Sequence, residues 1–472
     1  MSTIKLIISD LHLADGDAIL DGFGDYQQSA LEGLLNVASG RNKLGPYGYH
    51  EANPFSQADD VELVINGDGF DFLATPAYET KRITNAPIAL EKLEKIITAH
   101  RPFFEALRHF IDRPGRHVTF ITGNHDLELC LQDVQGRIWE AMGLEHLSSA
   151  LKFCPTPSYR PLPDVYVEHG NEYDFWNQFA QGFWDEQDVP ENAPHSSNLR
   201  TITLSAGSQY FQHASLPLSL RYPYLDHFEP SMNSIRQIAL LCLLDPEIVM
   251  ETARRVMELL SEPRKALTNL APGEERIPAK LFEQAMVDFA AFQQDTAARK
   301  TNWTEPPSME NTQAQGDAAT EFTMLRDALA GYPQGVIPDV PLQGAVAAIC
   351  RPSTYMMGEG VATGMHNVLS GNPELRYAIA GHTHMVRIDP INNGTQAYLN
   401  TGTWTRRLAL PAPGEMTPAL VEWLRQPDWQ NVPLRDVTQL TFAMVNASAN
   451  GPSRASLCVW EGGSKGSYRI LA

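Results

Sequence analysis

Five short apolar runs, each ending in a polar cluster, constrain the fold of this chain more than any other feature. The runs are TIKLIISD, VELVINGD, HVTFITGNHD, VYVEHG and RYAIAGHTH, and they end at or beside Asp10, Asp68, Asn124, His169 and His382. Apolar runs of this length are typical of strands that are buried on both faces. Helix-like segments, for example 88–111 and 133–142, lie between them. The alternation predicts a layered α/β core with functional sites beyond the carboxyl ends of the strands.

Residues 176–374 differ from the flanking sequence because they contain few strand patterns. Segments 235–262 and 277–298 have helical periodicity, and a long polar stretch with no clear period lies between and after them. We therefore predict that 1–175 form the first part of a core and that 375–472 form its second part. Residues 176–374 would be a mainly helical insertion that caps the strand ends.

Composition limits the cellular setting and the partners of the chain. The formal net charge of -20 argues against a nucleic-acid-coating role, which needs a basic face. The five cysteines are scattered without a CxxC pair, which fits a reducing compartment and gives no thiolate zinc site. The longest apolar stretch, IALLCLL at 238–244, is too short to span a bilayer. These features predict a soluble, cytoplasmic protein with no membrane span.

The polar clusters supply seven residues that are able to bind metal ions. They comprise two carboxylates, one amide oxygen and four imidazoles, at positions Asp10, His12, Asp68, Asn124, His169, His382 and His384. Imidazole and carboxylate ligands together suit Mn, Fe, Zn or Ni. Seven ligands are too many for one tetrahedral ion with an open position, so the set predicts two metals that share a bridging carboxylate. Asp10 and His12 could share one metal if the backbone between them stays extended.

In this order, the segments SDLHL, NGDGFD, GNHD, EHG and AGHTH resemble the five signature motifs of the calcineurin-like metallophosphoesterase superfamily. The resemblance covers about 1–175 and 375–405, and the insertion takes no part in it. It implies a four-layer α-β-β-α sandwich and an enzyme that hydrolyses phosphomonoesters or phosphodiesters. The implied cofactors are two divalent metal ions, with manganese favoured and iron, zinc or nickel as alternatives.

The resemblance also implies a role for each motif residue. The first metal would be held by Asp10, His12 and His384, the second by Asn124, His169 and His382, and both by the bridging Asp68. A hydroxide that bridges the metals would attack phosphorus. His125 would contact the phosphate or protonate the leaving group as a catalytic residue. Asp126 would orient His125 or its loop, and Asn171 would form a supporting hydrogen bond near the phosphate.

Three other functions stay open. The motifs also resemble those of UDP-diacylglucosamine-type pyrophosphohydrolases, but those enzymes carry an arginine where this chain has His125. GNHD is shared with DNA-repair exonucleases. The acidic net charge and the lack of a basic stripe argue against a manganese-dependent nuclease. A metal-free scaffold would have lost ligands, and all seven are present. A small phosphorylated substrate is therefore favoured, and the sequence does not predict the oligomeric state.

Overall fold

The computed structural model divides into two compact units. The described residues are 2–17, 19–40, 54–76, 83–144, 149–154, 156–174, 176–179, 201–229, 359–412, 415–448, 451–471 and single positions between 237 and 255. Unit 1 comprises Met1–Gln212, Gly358–Arg407 and Thr438–Ala472, and unit 2 comprises His213–Met357 and Leu408–Val437. The predicted helix at 277–298 and the whole of the long polar stretch lie outside the described residues.

Sixteen strands lie in the described residues, and most belong to two sheets. In chain order they are β1 (Ser2–Ile8), β2 (Asp60–Asn66), β3 (Ile83–Asn85), β4 (Arg116–Ile121), β5 (Leu151–Phe153), β6 (Ser158–Leu162), β7 (Val165–Glu168), β8 (Thr201–Thr203), β9 (Phe228–Glu229), β10 (Tyr377–Ala380), β11 (Val386–Ile391), β12 (Gln396–Thr401), β13 (Leu408–Ala409), β14 (Leu440–Ser448), β15 (Arg454–Glu461) and β16 (Ser467–Ile470). The larger sheet has the order β16-β15-β14-β1-β2-β4-β5, and the smaller has the order β11-β12-β10-β7-β6. Strand β3 pairs with β8, and β9 pairs with β13.

The α-helices alternate with the strands in the first part of the chain, and the predicted α/β class is confirmed. The described helices are α1 (Asp25–Ala38), α2 (Ala86–Ala99), α3 (Arg101–Ile111), α4 (Gln132–Ala141), α5 (Ala206–Tyr210), α6 (Leu216–Arg221), α7 (Tyr224–His227), α8 (Glu359–Gly371) and α9 (Pro418–Arg425). A π-helical turn, Phe211–Ser215, joins α5 to α6. None of these helices is both long enough and apolar enough to cross a membrane.

The segment predicted as helical at 88–111 consists of two helices. The Asn85 side chain accepts a hydrogen bond from the Ile88 backbone nitrogen at 3.2 Å and so caps the start of α2. The chain leaves helical geometry at His100, where φ is -112° and ψ is 33°. Pro102 follows, and proline is accommodated in the first turn of a helix but not in its interior. A new helix, α3, therefore starts beside it.

Both faces of the larger sheet are covered, which explains why apolar residues dominate its central strands. Ile4, Leu6 and Ile8 of β1 lie in one apolar cluster with residues of α1 to α4. Ile7 lies in a second cluster with Val167 of β7 and with residues of β10 and β12. Because successive strand residues point to opposite faces, helices cover one face of this sheet and the smaller sheet covers the other.

Helix α8 packs on the smaller sheet. Val361 and Met365 of this helix share a third apolar cluster with Ala378 and Ala380 of β10. In unit 2, a separate cluster joins α6, α7 and α9 and includes Tyr224, whose hydroxyl donates to the Leu424 carbonyl oxygen at 2.7 Å.

The unit bounds differ from those of the predicted insertion at both ends. Residues 201–212 fall in unit 1, where β8 pairs antiparallel with β3, and residues 408–437 fall in unit 2. Whether 176–374 act as a cap stays a prediction.

We expect Phe104→Ala to be among the most destabilising core substitutions in unit 1. Phe104 is 1% exposed, stacks on Phe70 at 5.9 Å and meets Phe103 edge to face at 5.3 Å. Loss of this ring should lower the free energy of unfolding by about 3–5 kcal/mol. Urea-induced unfolding measures the change. The neighbouring exposed Glu105→Ala is the control and should shift stability by less than about 0.5 kcal/mol.

Candidate metal centre

The predicted ligands all follow the carboxyl ends of parallel strands. In the larger sheet, β1, β2 and β4 are adjacent and parallel. In the smaller sheet, β7 and β10 are adjacent and parallel. Parallel neighbours end at the same edge of a sheet, so each sheet presents its polar residues at one edge. The residues that follow these five strands are Asp10 and His12 (β1), Asp68 (β2), Asn124 and His125 (β4), His169 (β7), and His382 and His384 (β10).

The backbone of this region is not extended, which contradicts the geometry expected for Asp10 and His12. Their φ values are 55° and 49°, in the left-handed region that non-glycine residues rarely adopt. Asp68, His382 and His384 also have positive φ values, of 50°, 66° and 58°. Strained backbone of this kind clusters at functional sites, where the surrounding structure must hold it in place.

Hydrogen bonds between the strand ends hold these strained residues. The His12 backbone nitrogen donates to the Asp68 carbonyl oxygen at 2.9 Å, and the Trp404 nitrogen donates to the Asp10 carbonyl oxygen at 3.0 Å. Gly67, with φ 77°, follows β2 and lies directly against His169. A Cβ at this position would be 2.7 Å from the Cβ of His169. The glycine of the Gly-Asp motif is therefore needed for the close approach of Asp68 and His169.

Asp10, His12 and His384 form a first group of possible ligands. His384 Nε2 lies 3.3 Å from Asp10 Oδ1 and 3.1 Å from His12 Nε2, and His12 Nε2 lies 4.0 Å from Asp10 Oδ1. Two ligand atoms at about 2.1 Å from one ion, 90–109° apart, would be separated by about 3.0–3.4 Å. Burial lowers the pKa of His384 to about 4, so its ring is in the neutral form that binds metals. His384 Nε2 therefore suits a cation shared with Asp10 and with His12, whereas the 4.0 Å between His12 Nε2 and Asp10 Oδ1 is wider than this range.

Asp68, His169 and His382 form a second group, with Asn124 beside it. His169 Nδ1 donates to the Asn66 carbonyl oxygen at 2.9 Å, which directs Nε2 to the site. That Nε2 lies 3.1 Å from Asp68 Oδ2 and 3.2 Å from Asn124 Oδ1. Because Nε2 faces two oxygens, it must either carry a proton, as in a charged ring, or share a cation with them.

Asp68 connects the two groups. It is 1% exposed, and its Oδ2 lies 3.9 Å from His12 Nε2 and 3.1 Å from His169 Nε2. Burial favours the protonated acid. The charges of His169 and His125 and a hydrogen bond from His169 nevertheless hold the pKa of Asp68 well below its ordinary value. The carboxylate is therefore ionised, as a bridging ligand must be.

His125 is oriented by Asp71, which also orients His12. Asp71 Oδ1 lies 3.0 Å from His125 Nδ1, and Asp71 Oδ2 lies 3.0 Å from His12 Nδ1. Burial opposes a charge on His125, but Asp71 and Asp68 raise the pKa of its ring to about 9. The ring is therefore protonated at neutral pH, and its Nε2 is not involved in the bond to Asp71. His125 also forms a possible ligand group with His12 and Asp68, so position alone leaves a ligand role open.

Asp126 accepts hydrogen bonds from the loops that carry the ligands, and Asn171 bonds to the loop that follows it. Asp126 is buried and accepts hydrogen bonds from the backbone nitrogens of Gly69 at 2.8 Å and Gly123 at 2.6 Å. Burial and the charge of Asp68 raise the pKa of Asp126 to about 7. Asn171 donates to the Asn177 carbonyl oxygen at 3.0 Å. Among the described residues, no contact of Asn171 supports the role predicted near a phosphate.

Sequence reasoning missed Asp174. For Asp71 it favours a structural hydrogen-bonding role over direct catalysis. Asp174 Oδ2 lies 3.1 Å from His382 Nε2, and the charge and hydrogen bond of this histidine outweigh burial and lower the pKa of Asp174. Asp71 stands three residues after the Gly-Asp motif aspartate, which was a usable signal. Asp174 lies in the aromatic run after His169, where no spacing rule marks it.

Comparison with known proteins adds no family to this geometry. A scan against protein-family models found no match, and a search of curated proteins found no matching relative. The function proposed below therefore depends on the residues of the chain and their arrangement.

Proposed function

We propose that the chain is a dinuclear-metal-dependent hydrolase of phosphate esters, of the calcineurin-like metallophosphoesterase type. The observation that carries the proposal is the convergence of the seven predicted ligands: six form two groups, Asn124 lies 3.2 Å from His169, and Asp68 is near a histidine of each group. Each alternative fits less well, because a scaffold without metals has no need of several buried ionisable groups around one carboxylate. The acidic net charge of -20 also counts against a nuclease.

The donor chemistry fits two divalent ions. Asp10, His12 and His384 would hold the first, and Asn124, His169 and His382 would hold the second, with Asp68 bridging. Carboxylate, amide and imidazole ligands without sulfur favour manganese, with iron, zinc or nickel as alternatives. Asp68 Oδ2 lies within 4 Å of a histidine from each group, 3.9 Å from His12 Nε2 and 3.1 Å from His169 Nε2, as a shared ligand requires.

Both the ions and the protein side chains would take part in phosphate ester hydrolysis. When bound, the ions would generate a nucleophile from water at neutral pH and stabilise negative charge on the phosphoryl oxygens. His125, held by Asp71 at 3.0 Å, would donate a proton to the leaving oxygen or a hydrogen bond to the phosphate. Asp126 would hold the loops that carry Asp68 and Asn124 next to each other through hydrogen bonds from the Gly69 and Gly123 backbone nitrogens.

The proposal extends to the architecture of unit 1, for which we propose a four-layer α-β-β-α sandwich. It is supported by the apolar cluster between the two sheets and by the helices that pack on their outer faces. The proposed substrate is a small phosphorylated molecule, either a monoester or a diester.

Metal removal tests the proposal directly. Protein purified without chelator is expected to carry two manganese, iron, zinc or nickel ions per chain, measured by mass spectrometry of the metals. Treatment with EDTA should abolish hydrolysis of bis(p-nitrophenyl) phosphate, and added Mn²⁺ should restore it. Protein that binds no such ion under any of these conditions would refute the proposal.

A substrate panel then separates the remaining possibilities. Phosphomonoesters, phosphodiesters, nucleotide-sugar pyrophosphates and single- or double-stranded DNA should be offered with Mn²⁺ under the same conditions. Turnover of small esters without DNA cleavage is the expected result. DNA cleavage at a comparable rate would favour the nuclease alternative instead.

A further inference from the structure

A carboxylate outside the predicted ligand set, Asp174, lies directly against the ligand candidate His382. Asp174 Oδ2 is 3.1 Å from His382 Nε2, and the two side chains are 33% and 11% exposed. Both residues belong to unit 1. The position of Asp174 follows the short helical turn Asn171–Tyr173 that begins two residues after His169.

The contact decides which ring nitrogen of His382 faces the site. A histidine that bonds a carboxylate through one nitrogen presents the other to a metal ion. His12 and His169 bond their partners, Asp71 and the Asn66 carbonyl, through Nδ1 and thus present Nε2. His382 is bonded through Nε2 and thus presents Nδ1. The His382 ring is therefore turned the opposite way from those of His12 and His169, and Asp174 is the partner that bonds its Nε2.

We infer that Asp174 is a positioning residue that fixes His382 with Nδ1 directed at the second metal position. The inference deepens the proposed function and rests on it. Among the described residues, Asp174 contacts no ligand candidate of the first group. In that group, Asp71 orients His12 as Asp174 orients His382. Its loss should therefore weaken the second ion selectively.

Asp174 is itself held in place from behind. The Trp176 backbone nitrogen donates to Asp174 Oδ1 at 3.0 Å, and Asn177 Nδ2 donates to Asp174 Oδ2 at 2.7 Å. The loop is anchored to α5, since the Gly207 nitrogen donates to the Trp176 carbonyl oxygen at 2.6 Å. A Cβ at Gly207 would lie only 2.8 Å from that oxygen, so the approach is close. These bonds leave the carboxylate little freedom to turn away from His382.

The test is a Mn²⁺ titration of the full chain and of Asp174→Ala, after EDTA treatment and its removal. The unaltered protein should bind two ions per chain and show the electron paramagnetic resonance of a spin-coupled manganese pair. Asp174→Ala should bind one ion with unchanged affinity and the other about 10–100-fold more weakly. At limiting Mn²⁺ its spectrum should change to that of an isolated ion.

Two further variants separate positioning from loop structure. Asn177→Ala removes one of the hydrogen bonds that hold the Asp174 carboxylate but keeps the carboxylate itself, so it should weaken the second ion much less than Asp174→Ala does and leave the first unchanged. Asp174→Asn keeps an oxygen that accepts from His382 and should recover part of the lost affinity. Circular dichroism confirms that each variant is folded.

The outcomes distinguish the inference from the proposed function. Two ions bound to Asp174→Ala with unaltered affinities, or equal weakening by Asn177→Ala, would overturn the positioning role while the dinuclear proposal stands. Fewer than two ions on the unaltered protein would overturn the dinuclear proposal itself, before any variant is compared. If the unaltered protein binds two ions but hydrolyses no phosphate ester, the proposed activity is wrong, and the test of Asp174 as a positioning residue is still valid.

Discussion

Asp68→Ala is expected to bind neither metal ion and to hydrolyse phosphate esters no faster than the uncatalysed background. Asp68 is the carboxylate between the two ligand groups, 3.1 Å from His169 Nε2 and 3.9 Å from His12 Nε2. Its removal would take one ligand from each ion and also the negative charge that keeps the two cations together. Loss of any other ligand candidate affects only one group, so no other single substitution should have a larger effect.

The metal content per chain and the rate with bis(p-nitrophenyl) phosphate measure this result. Asp25→Ala is the control, because Asp25 is an exposed residue at the start of α1 and should leave both quantities unchanged. Asp68→Asn is the second variant. Its amide oxygen can still accept from the His125 backbone nitrogen, which lies 2.8 Å from Asp68 Oδ1, so the loop should stay folded. If Asp68→Ala kept two ions and normal turnover, the bridging role would be wrong.

The positions of the strands were predictable because of what covers them. β1, β2 and β4 are buried on both faces, and apolar residues dominate strands in that environment. Short strands gave no such signal. β8, of three residues, pairs with β3 across more than a hundred residues of chain, and this contact brings 201–212 into unit 1. No local pattern encodes a pairing of that kind.

The ligand candidates were predictable from their place at strand ends, but their geometry was not. An extended backbone was the simplest way to bring Asp10 and His12 together, and the structure uses left-handed residues at both positions. That conformation is imposed by partners from distant segments, such as the hydrogen bond from Trp404 to the Asp10 carbonyl oxygen. The same holds for Asp174, whose importance comes from a contact with a residue 208 positions away.

His125→Ala is expected to reduce turnover by about 10²–10⁴-fold while leaving both metal ions bound. The ring is held by Asp71 at 3.0 Å, and despite burial the charges of Asp71 and Asp68 raise its pKa to about 9. It therefore carries a proton at neutral pH, and its Nε2 can deliver that proton to a leaving oxygen. Metal content and the rate constant at saturating substrate are the two measurements, and exposed His109→Ala is the control.

The leaving group shows which task His125 performs. A poor leaving group such as phenolate needs the proton, whereas p-nitrophenolate departs without much help. If His125 is the general acid, His125→Ala should slow phenyl phosphate far more than p-nitrophenyl phosphate. Equal losses on both substrates would assign His125 to binding the phosphate instead. Loss of a metal ion from the variant would contradict both roles and make His125 a ligand, which its place beside His12 and Asp68 would then explain.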